Sequence, residues 1–336
     1  MRLEELEDEL SRPAAEDCAL MRSIEGDIMI LGAGGKMGPS LARLARRAAD
    51  QAGGSASRRI FAVSRLFSDA MRDPFTALGI EAISCDLLDR TQLASLPDCA
   101  NVLFLAGRKF GSTENLPLTW ATNALLPALV AERFRGSRIV ALSSGNVYPL
   151  VTTPATEQTP ACPVGEYAQS VLARERVFEF FSARDRTPVA IIRLNYAIDL
   201  RYGVLLDIGE RVWSGRPVPL AMGAVNIIWQ GDANSACLRA LALASSPPLI
   251  LNVTGSEALR VRWIAERFSE IFGVQPMFEG TEATTALLSN SALCCRLLGP
   301  PRISTQRMIE MTAEWICAGG PTLNKPTHFE VRNGAF

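Results

Sequence analysis

The chain has 336 residues, of which 48% are hydrophobic and 21% are charged, and its 34 basic and 35 acidic residues nearly cancel. This composition provides for a sizeable core in one or two domains, and the balanced charge without a basic patch argues against a nucleic-acid partner. No apolar run reaches the roughly 18 residues of a membrane span, and the acidic first ten residues do not resemble a secretion signal, so we expect a cytoplasmic protein with no membrane partner.

Short apolar runs alternate with helical patterns through the first 195 residues. The runs expected to form strands are 28–31, 60–63, 82–85, 102–105, 139–142 and 189–194. The stretches expected to form helices are 41–49, 69–78, 91–96, 118–134 and 167–182. Uniformly apolar strands are typical of sheets covered on both faces, and the β-α alternation predicts an α/β fold with a Rossmann-like, doubly wound parallel sheet.

Beyond residue 195 the alternation ends, which predicts a smaller, mainly helical substrate lobe. Such a lobe would cover the carboxyl edge of the sheet, where open α/β sheets bind their ligands. The expected regions are an N-terminal arm (1–26), docked or disordered, a dinucleotide-binding domain (27–195, with 225–255 returning to the sheet), the substrate lobe (196–224 and 256–318) and an extended tail (319–336).

A glycine-spaced turn, Gly32-Ala33-Gly34-Gly35-Lys36-Met37-Gly38, joins the first expected strand to the first expected helix. In this setting the spacing predicts a binding site for the pyrophosphate of a dinucleotide. Gly32 would permit the tight turn, Gly35 the close approach of a phosphate, and Gly38 the close packing of the helix on the strand. The alternative is an ordinary turn that binds nothing.

The second expected strand is followed by Ser64-Arg65 and not by the acidic residue that binds the ribose hydroxyls of NAD. A hydroxyl and a guanidinium can bind a 2′-phosphate, so the sequence favours NADP over NAD as the cofactor. The alternative is that Arg65 is only a solvated loop residue. The further residues expected around the cofactor are Lys36, Met37, Asp86, Leu87, Ala106, Gly107 and Asn195.

The cysteines and the histidine do not suggest a metal site. The eight cysteines include no Cys-x-x-Cys pair, and His328 is the only histidine in the chain. Because zinc sites and histidine-based triads need such residues at close spacing, we predict that no metal is bound.

Several motifs occur in a fixed order along the chain. They are the glycine turn, Asp86, Leu142-Ser143-Ser144-Gly145-Asn146-Val147-Tyr148-Pro149, Glu166-Tyr167-Ala168-Gln169-Ser170, Arg193-Leu194-Asn195 and Leu298-Gly299-x-Pro301. In this order they resemble the extended short-chain dehydrogenase/reductase family, in its NAD-dependent epimerase/dehydratase group, over about residues 27 to 317.

The resemblance implies roles for particular residues. Ser144 would polarise the substrate oxygen, and Tyr167 would exchange a proton with it during hydride transfer. Asn123 would match the helical asparagine of the family. Arg108, Asn146 and Asn226 are expected to face the substrate. The family also implies a homodimer formed through helices 118–134 and 167–182; the alternative is that these two helices are buried within one chain.

One residue departs from the family pattern, because Val171 stands where the Tyr-x-x-x-Lys motif has its lysine. Loss of that cation should leave the phenol pKa nearer its reference value of ~10. The cations considered as replacements are Arg174, Lys36, Arg108 and Lys109.

Two functions are compatible with this sequence. The first is an NAD(P)-dependent oxidoreductase or epimerase/dehydratase acting on a sugar, sugar acid or nucleotide sugar, including the case in which the bound cofactor oxidises its substrate only transiently. The second, suggested by Val171, is a catalytically silent NAD(P)-binding sensor or scaffold.

Overall fold

The computed structural model describes residues 1–53, 58–65, 67–109, 111–325 and 327–334. The last two residues of the expected tail, 335–336, lie outside the described residues. In the described part of the chain, no helix combines the length and the apolar character needed to cross a membrane.

A seven-stranded parallel sheet forms the centre of the molecule, with strand order β11-β6-β5-β4-β1-β2-β3. The described strands are β1 (Ile28–Leu31), β2 (Ile60–Ser64), β3 (Glu81–Ser84), β4 (Asn101–Phe104), β5 (Arg138–Ser144), β6 (Val189–Leu194), β7 (Ala197–Ile198), β8 (Val218–Pro219), β9 (Ala224–Val225), β10 (Ile228–Trp229), β11 (Leu249–Val253), β12 (Leu259–Arg260) and β13 (Phe278–Glu279). The order reverses between β1 and β4, so ligands are expected at the carboxyl ends of these two strands.

Helices cover both faces of the sheet and form most of the C-terminal lobe. They are α1 (Leu3–Leu10), α2 (Ala15–Ser23), α3 (Gly38–Gln51), α4 (Asp69–Thr76), α5 (Arg90–Ser95), α6 (Leu116–Trp120), α7 (Leu126–Arg133), α8 (Gly165–Asp185), α9 (Val204–Trp213), α10 (Gln230–Arg239), α11 (Val261–Phe272), α12 (Ala292–Leu298) and α13 (Thr305–Cys317). The expected helix 118–134 is interrupted by a π-helical turn at Ala121–Leu125. Single π turns of this kind occur often at functional sites.

Side chains of β1 show why the strands are apolar throughout. Ile28 and Ile30 pack with α3 and α10 on one face of the sheet. Met29 and Leu31 pack on the opposite face, with α7 and with Phe178 of α8. Successive side chains of a strand point to opposite faces, and because helices cover both faces no position along β1 faces water.

The outer regions differ from the sequence expectation in two places. Of the segment 225–255, which is expected to return to the sheet, only β11 joins it, because β9 pairs with β12 and β10 pairs with β7. Residues 1–26 form the helices α1 and α2, and Leu6 and Leu10 are completely buried in the core of the lobe. The N-terminal segment is therefore packed, which removes the disordered alternative.

Candidate active site

A cavity of about 580 Å³ lies at the carboxyl ends of β1, β4, β5 and β6, between the sheet and the lobe. The residues that line it include Gly35 of the glycine turn, Ser144 at the end of β5, Tyr167 of α8, and Lys325 of the tail. A second recess, of about 450 Å³, lies before the start of β1, at the opposite edge of the sheet from the glycine turn. The first cavity therefore occupies the position at which open α/β sheets bind ligands.

The three spaced glycines of the turn meet different physical requirements. Gly32 has a φ of +91°, and a Cβ on it would lie 2.6 Å from the backbone nitrogen of Ala106. A Cβ on Gly38 would overlap the backbone of Ala33. A Cβ on Gly35 would meet the carbonyl oxygen of Gly32 at 3.3 Å, and apart from its chain neighbours no other atom of the described residues lies within 4 Å of it. Gly32 and Gly38 thus allow the turn to form, whereas Gly35 keeps its backbone open to the cavity.

Ser144 and Tyr167 meet at the wall of this cavity. Their hydroxyl groups are joined by a hydrogen bond, and the Ser144 hydroxyl also accepts one from the backbone N–H of Asn146 at 3.2 Å. Burial raises the pKa of the Tyr167 phenol above its ordinary value of 10, and the positive charge of Arg174 and the bond from Ser144 offset part of that increase. The phenol is therefore protonated at neutral pH and can donate a proton or a hydrogen bond.

A buried ion pair supports the strand ends that position Ser144. Arg193 of β6 donates to the Glu175 carboxylate of α8 at 2.7 Å, and the two side chains are 4% and 0% exposed. Ser143 donates to the same carboxylate at 2.5 Å, and Arg193 also donates to the Tyr148 hydroxyl at 2.8 Å. These bonds tie α8, which includes Tyr167, to the end of β5, which includes Ser144.

Residues 28–197, about half of the chain, match the model of the NAD-dependent epimerase/dehydratase family. The chain belongs to this family. The comparison with curated proteins returned no match.

Several solved structures share the fold of this chain. MoeE5 in complex with UDP-glucuronic acid and NAD is 20% identical, with a TM-score of 0.71 over 88% of this chain and 100% of that chain. The UDP-glucose 4-epimerase of Thermotoga maritima with UDP-glucose is 17% identical, with a TM-score of 0.70 over 87% and 99% of the two chains. Epimerase Mth375 of Methanothermobacter thermautotrophicus is 18% identical, with a TM-score of 0.72 over 91% and 96%. At these identities the likeness establishes the Rossmann-like fold.

Val171 does not reach the cavity of this epimerase/dehydratase-family protein. It is 1% exposed and packs in a small apolar cluster with Val147, Tyr148 and Ala155. A lysine at this position would have to place its ammonium among these apolar side chains or displace them. Val171 is therefore a packing residue of this cluster.

Arg174 provides a positive charge near Tyr167, two helical turns further along α8. Its side chain is buried, donates to the carbonyl oxygen of Leu142 at 2.5 Å and lies 5.3 Å from the centre of the Phe104 ring. A Cβ on Gly107 would lie 2.6 Å from its guanidinium, so the small residue at this position makes room for it. Burial lowers the pKa of Arg174 to about 10, which keeps it charged at neutral pH.

Asn123 lies on the π-helical turn, behind the cavity wall. Its side-chain oxygen accepts from the backbone N–H of Arg108 and from the Arg174 guanidinium, both at 2.8 Å. Its amide nitrogen donates to the carbonyl oxygen of Arg108 and to the Ser170 hydroxyl, both at 3.0 Å. With all its hydrogen-bonding capacity used in this way, Asn123 fixes Arg174 and the segment after β4 and does not face a ligand.

The structure brings together about half of the residues expected at the site. Those that line the cavity are Gly32, Gly35, Lys36, Met37, Gly38, Gly107, Ser144, Asn146, Tyr167 and Asn195. Those that do not line it are Ser64, Arg65, Asp86, Leu87, Ala106, Arg108, Asn123 and Asn226.

Two of the residues expected at the substrate make structural bonds outside the cavity. The Arg108 guanidinium donates to the carbonyl oxygen of Gly111 at 2.9 Å. Asn226 donates to the carbonyl oxygen of Glu257 and accepts from the backbone N–H of Ser289, both at 2.8 Å. Lys109, the residue after Arg108, lines the cavity instead.

The tail contributes to the site, which the sequence did not indicate. Its backbone N–H at Leu323 donates to the carbonyl oxygen of Arg201 at 2.9 Å, and Thr327 donates twice to the carboxylate of Asp207. Phe329 is 1% exposed in the core of the lobe. The tail is thus anchored across the cavity mouth, although it contains no periodic pattern that would have predicted a position.

Proposed function

We propose that the protein is an NAD(P)-dependent enzyme that acts by hydride transfer on a small polyhydroxylated substrate, a sugar, sugar acid or nucleotide sugar. The observation that carries this proposal is the hydrogen-bonded pair of Ser144 and Tyr167 in a cavity that opens onto the glycine turn. A hydroxyl pair of this kind can bind a carbonyl or alcohol oxygen and exchange a proton with it.

The glycine turn fits a dinucleotide. The open backbone at Gly35, followed by the N-terminal end of α3 at Gly38, is the arrangement that receives a pyrophosphate. Asn195, which lines the cavity at the end of β6, is proposed to contact the same ligand. When bound, a nicotinamide dinucleotide supplies the hydride acceptor or donor that the side chains of the chain lack.

The solved structures with the same fold support this substrate class. MoeE5 and the Thermotoga maritima epimerase are complexes with UDP-sugars, and the MoeE5 structure contains NAD. In this chain itself, the support comes from the cavity, because Asn146 and Tyr167 line it together with Ser144.

The residues divide the chemistry between them in the following way. Ser144 holds the reacting oxygen of the substrate by a hydrogen bond, and Tyr167 donates a proton to it or removes one. Arg174 limits the rise of the Tyr167 pKa through its charge, and Asn123 holds Arg174 in place. The combination replaces the single lysine of the family motif by a more distant, buried cation.

The silent sensor is the competing function, and it is favoured by one observation. Val171 provides no group that could bind the nicotinamide ribose, since it is buried in an apolar cluster. A sensor would bind dinucleotide and have no turnover with any carbonyl or alcohol, which separates the two functions.

Calorimetry with NAD, NADH, NADP and NADPH tests cofactor binding. We expect heat of binding with the wild-type protein and at least ~10-fold weaker binding with Gly35→Val, because the added side chain would occupy the open space beside the turn. The matched control is Ala94→Val, which gives the same side chain at an exposed position on α5. If none of the four nucleotides gave heat, the proposal would be wrong.

The same four titrations measure the cofactor preference. We propose tighter binding of NADP(H) than of NAD(H), because Ser64 and Arg65 follow β2 and no acidic residue occurs in 64–68. Asp86 and Leu87 after β3, with Ala106 after β4, are proposed to surround the adenine half of the ligand. Equal or tighter binding of NAD(H) would contradict this preference and would indicate that Arg65 is only a solvated loop residue.

We further propose a homodimer formed through the expected helices 118–134 and 167–182. Three large apolar side chains on these segments are exposed in the single chain: Trp120 by 36%, Leu125 by 52% and Phe180 by 59%. Burial of such a patch against its copy would remove apolar surface from water.

Analytical ultracentrifugation tests the dimer. The wild-type protein should sediment as a dimer and Leu125→Asp as a monomer, because the substitution places a charge in the proposed interface. Leu297→Asp is the control, since Leu297 is a similarly exposed leucine (41%) on α12, away from both helices. A wild-type monomer at micromolar concentration would contradict the proposal.

A further inference from the structure

The lysines of this chain are confined to one place. The sequence contains three lysines and 31 arginines. All three lysines, Lys36, Lys109 and Lys325, line the cavity beside Ser144 and Tyr167. Arg201 is the one arginine that does so among the described residues. The chain therefore uses arginine as its general cation and places lysine only at this cavity.

Lys36 extends from the glycine turn towards the lobe. Its ammonium donates to the carbonyl oxygen of Ala197 at 2.7 Å and lies 4.3 Å from the centre of the Tyr202 ring. Burial lowers the pKa of Lys36 to about 7, and the nearby Asp199 carboxylate opposes that shift. The ammonium is thus directed away from the backbone amides of its own turn, which are the proposed pyrophosphate site.

The other two lysines reach the cavity from different segments. Lys109 follows β4, and burial lowers its pKa to about 8, opposed by the carboxylate of Asp207 on α9. Lys325 belongs to the tail, two residues before Thr327, which is bonded to the same Asp207. Lys109 is therefore close enough to Asp207 of the lobe to feel its charge, and Lys325 belongs to the tail segment that is bonded to the same carboxylate.

The charged groups of the surrounding wall are partly paired with one another. Arg201 forms ion pairs with Asp199 at 2.6 Å and with Glu7 of α1 at 2.5 Å. The Asp207 carboxylate accepts two hydrogen bonds from Thr327. A lysine ammonium is a compact charge with three donors that can rotate towards an oxyanion, unlike the fixed planar fork of arginine.

We propose that Lys36, Lys109 and Lys325 form a subsite for an oxyanion of the substrate, a carboxylate or a phosphate. This inference rests on the proposed function, because it takes the cavity to be the substrate site, and it narrows the substrate to sugar acids and sugar phosphates. The dinucleotide is the other source of an oxyanion. The direction of Lys36 and the position of Lys325 on the tail favour the substrate.

Trace acetylation of amines tests the subsite directly, because every lysine of the chain belongs to it. The wild-type protein, saturated with its tightest nucleotide, would be labelled with acetic anhydride near neutral pH, and each lysine peptide would be quantified by mass spectrometry. Glucuronate and glucose 6-phosphate are the anionic probes, and glucose is the neutral control. A bound oxyanion stabilises the protonated amine and shields it, so labelling should slow at least ~5-fold with an anionic probe and remain unchanged with glucose.

A binding measurement on variants accompanies the labelling. Lys325→Met should weaken the binding of the anionic probe that protects the lysines by ~10-fold or more. A loss of this size is usual when a charged hydrogen-bond partner is removed. Arg90→Met, at an exposed arginine on α5, is the matched control and should bind the probe as the wild type does. Protection by only one of the two anions identifies the substrate group as a carboxylate or a phosphate.

Three outcomes separate the possibilities. Equal labelling of the lysines with all three probes would overturn the subsite. Protection by the nucleotide alone, with no further effect of the anionic probes, would also overturn it, because the lysines would then bind the cofactor. If no nucleotide bound in calorimetry but an anionic probe still protected the lysines, the hydride-transfer function would fail and the oxyanion subsite would stand.

Discussion

Replacing Tyr167 by phenylalanine should lower kcat by about 10²- to 10⁴-fold, the usual contribution of a positioned proton donor or acceptor. The substitution removes only the hydroxyl that bonds to Ser144 and leaves the ring to pack as before. Turnover would be followed with a panel of sugars, sugar acids and sugar phosphates, both by nicotinamide absorbance and by chromatography of the products, because a transient oxidation leaves no net change in absorbance. Ser144→Ala should cause a loss in the same direction, because the reacting oxygen loses a hydrogen-bond partner.

The control for this prediction is built into the variant itself. Tyr167→Phe should bind dinucleotide with the affinity of the wild type and melt within a few degrees of it, so that the loss is confined to the chemical step. Turnover equal to that of the wild type would show that Tyr167 is not the acid or base. No turnover in the wild type, with dinucleotide bound, would favour the silent sensor.

The pH dependence of kcat identifies the protonation state that works. The Tyr167 pKa is raised above 10 by burial, despite Arg174 and Ser144. If the phenol acts as a proton donor, titration of Tyr167 should therefore not lower kcat between neutral pH and about pH 10. A reaction that needs the phenolate as a base should instead become faster as the pH rises through the same range.

Replacing Arg193 by methionine should lower the free energy of unfolding by about 3–5 kcal/mol, because it leaves the carboxylate of Glu175 buried without its cation. Glu175 is completely buried and accepts from Arg193 through two guanidinium nitrogens and from the Ser143 hydroxyl. Unfolding in urea, followed by tryptophan fluorescence or circular dichroism, measures the loss.

Two further variants decide whether the buried pair is the cause. Arg176→Met breaks an ion pair with Glu179 on the same helix, but Arg176 is 57% exposed, so its loss should cost about 1 kcal/mol or less. The double variant Arg193→Met with Glu175→Leu removes both charges and should recover much of the lost stability. A loss for Arg193→Met no larger than that for Arg176→Met would contradict the prediction.

Local sequence patterns predicted most strands of the central sheet and the glycine turn. The first and sixth strands were predicted with the bounds that the structure has, 28–31 and 189–194, because an apolar run between polar turns defines a strand without reference to the rest of the chain. The glycine turn was identified in the same way, since the spacing of its glycines between a strand and a helix is a local pattern; at Gly38 the close contact is with Ala33 of the same turn.

Short elements were predicted less well. Near the start of the segment 225–255, which is expected to return to the sheet, lie two two-residue strands, β9 and β10, that are outside the central sheet. The expected helix over 118–134 contains the π turn that holds Asn123. A two-residue strand or a single π turn is too short to produce a periodic pattern in the sequence. Tertiary contacts therefore decide whether such an element forms.

Residue patterns along the chain predict a parallel sheet with a glycine turn at its carboxyl edge, and the family resemblance adds the prediction that Ser144 and Tyr167 lie together. The folded chain alone shows which cation lies near Tyr167 and which segments complete the cavity. Arg174 reaches Asn123 across 51 positions of the chain, and Lys325 joins Lys36 in one cavity although nearly the whole chain separates them. Such contacts depend on how distant segments pack against each other, and a local pattern of residues contains no record of that packing.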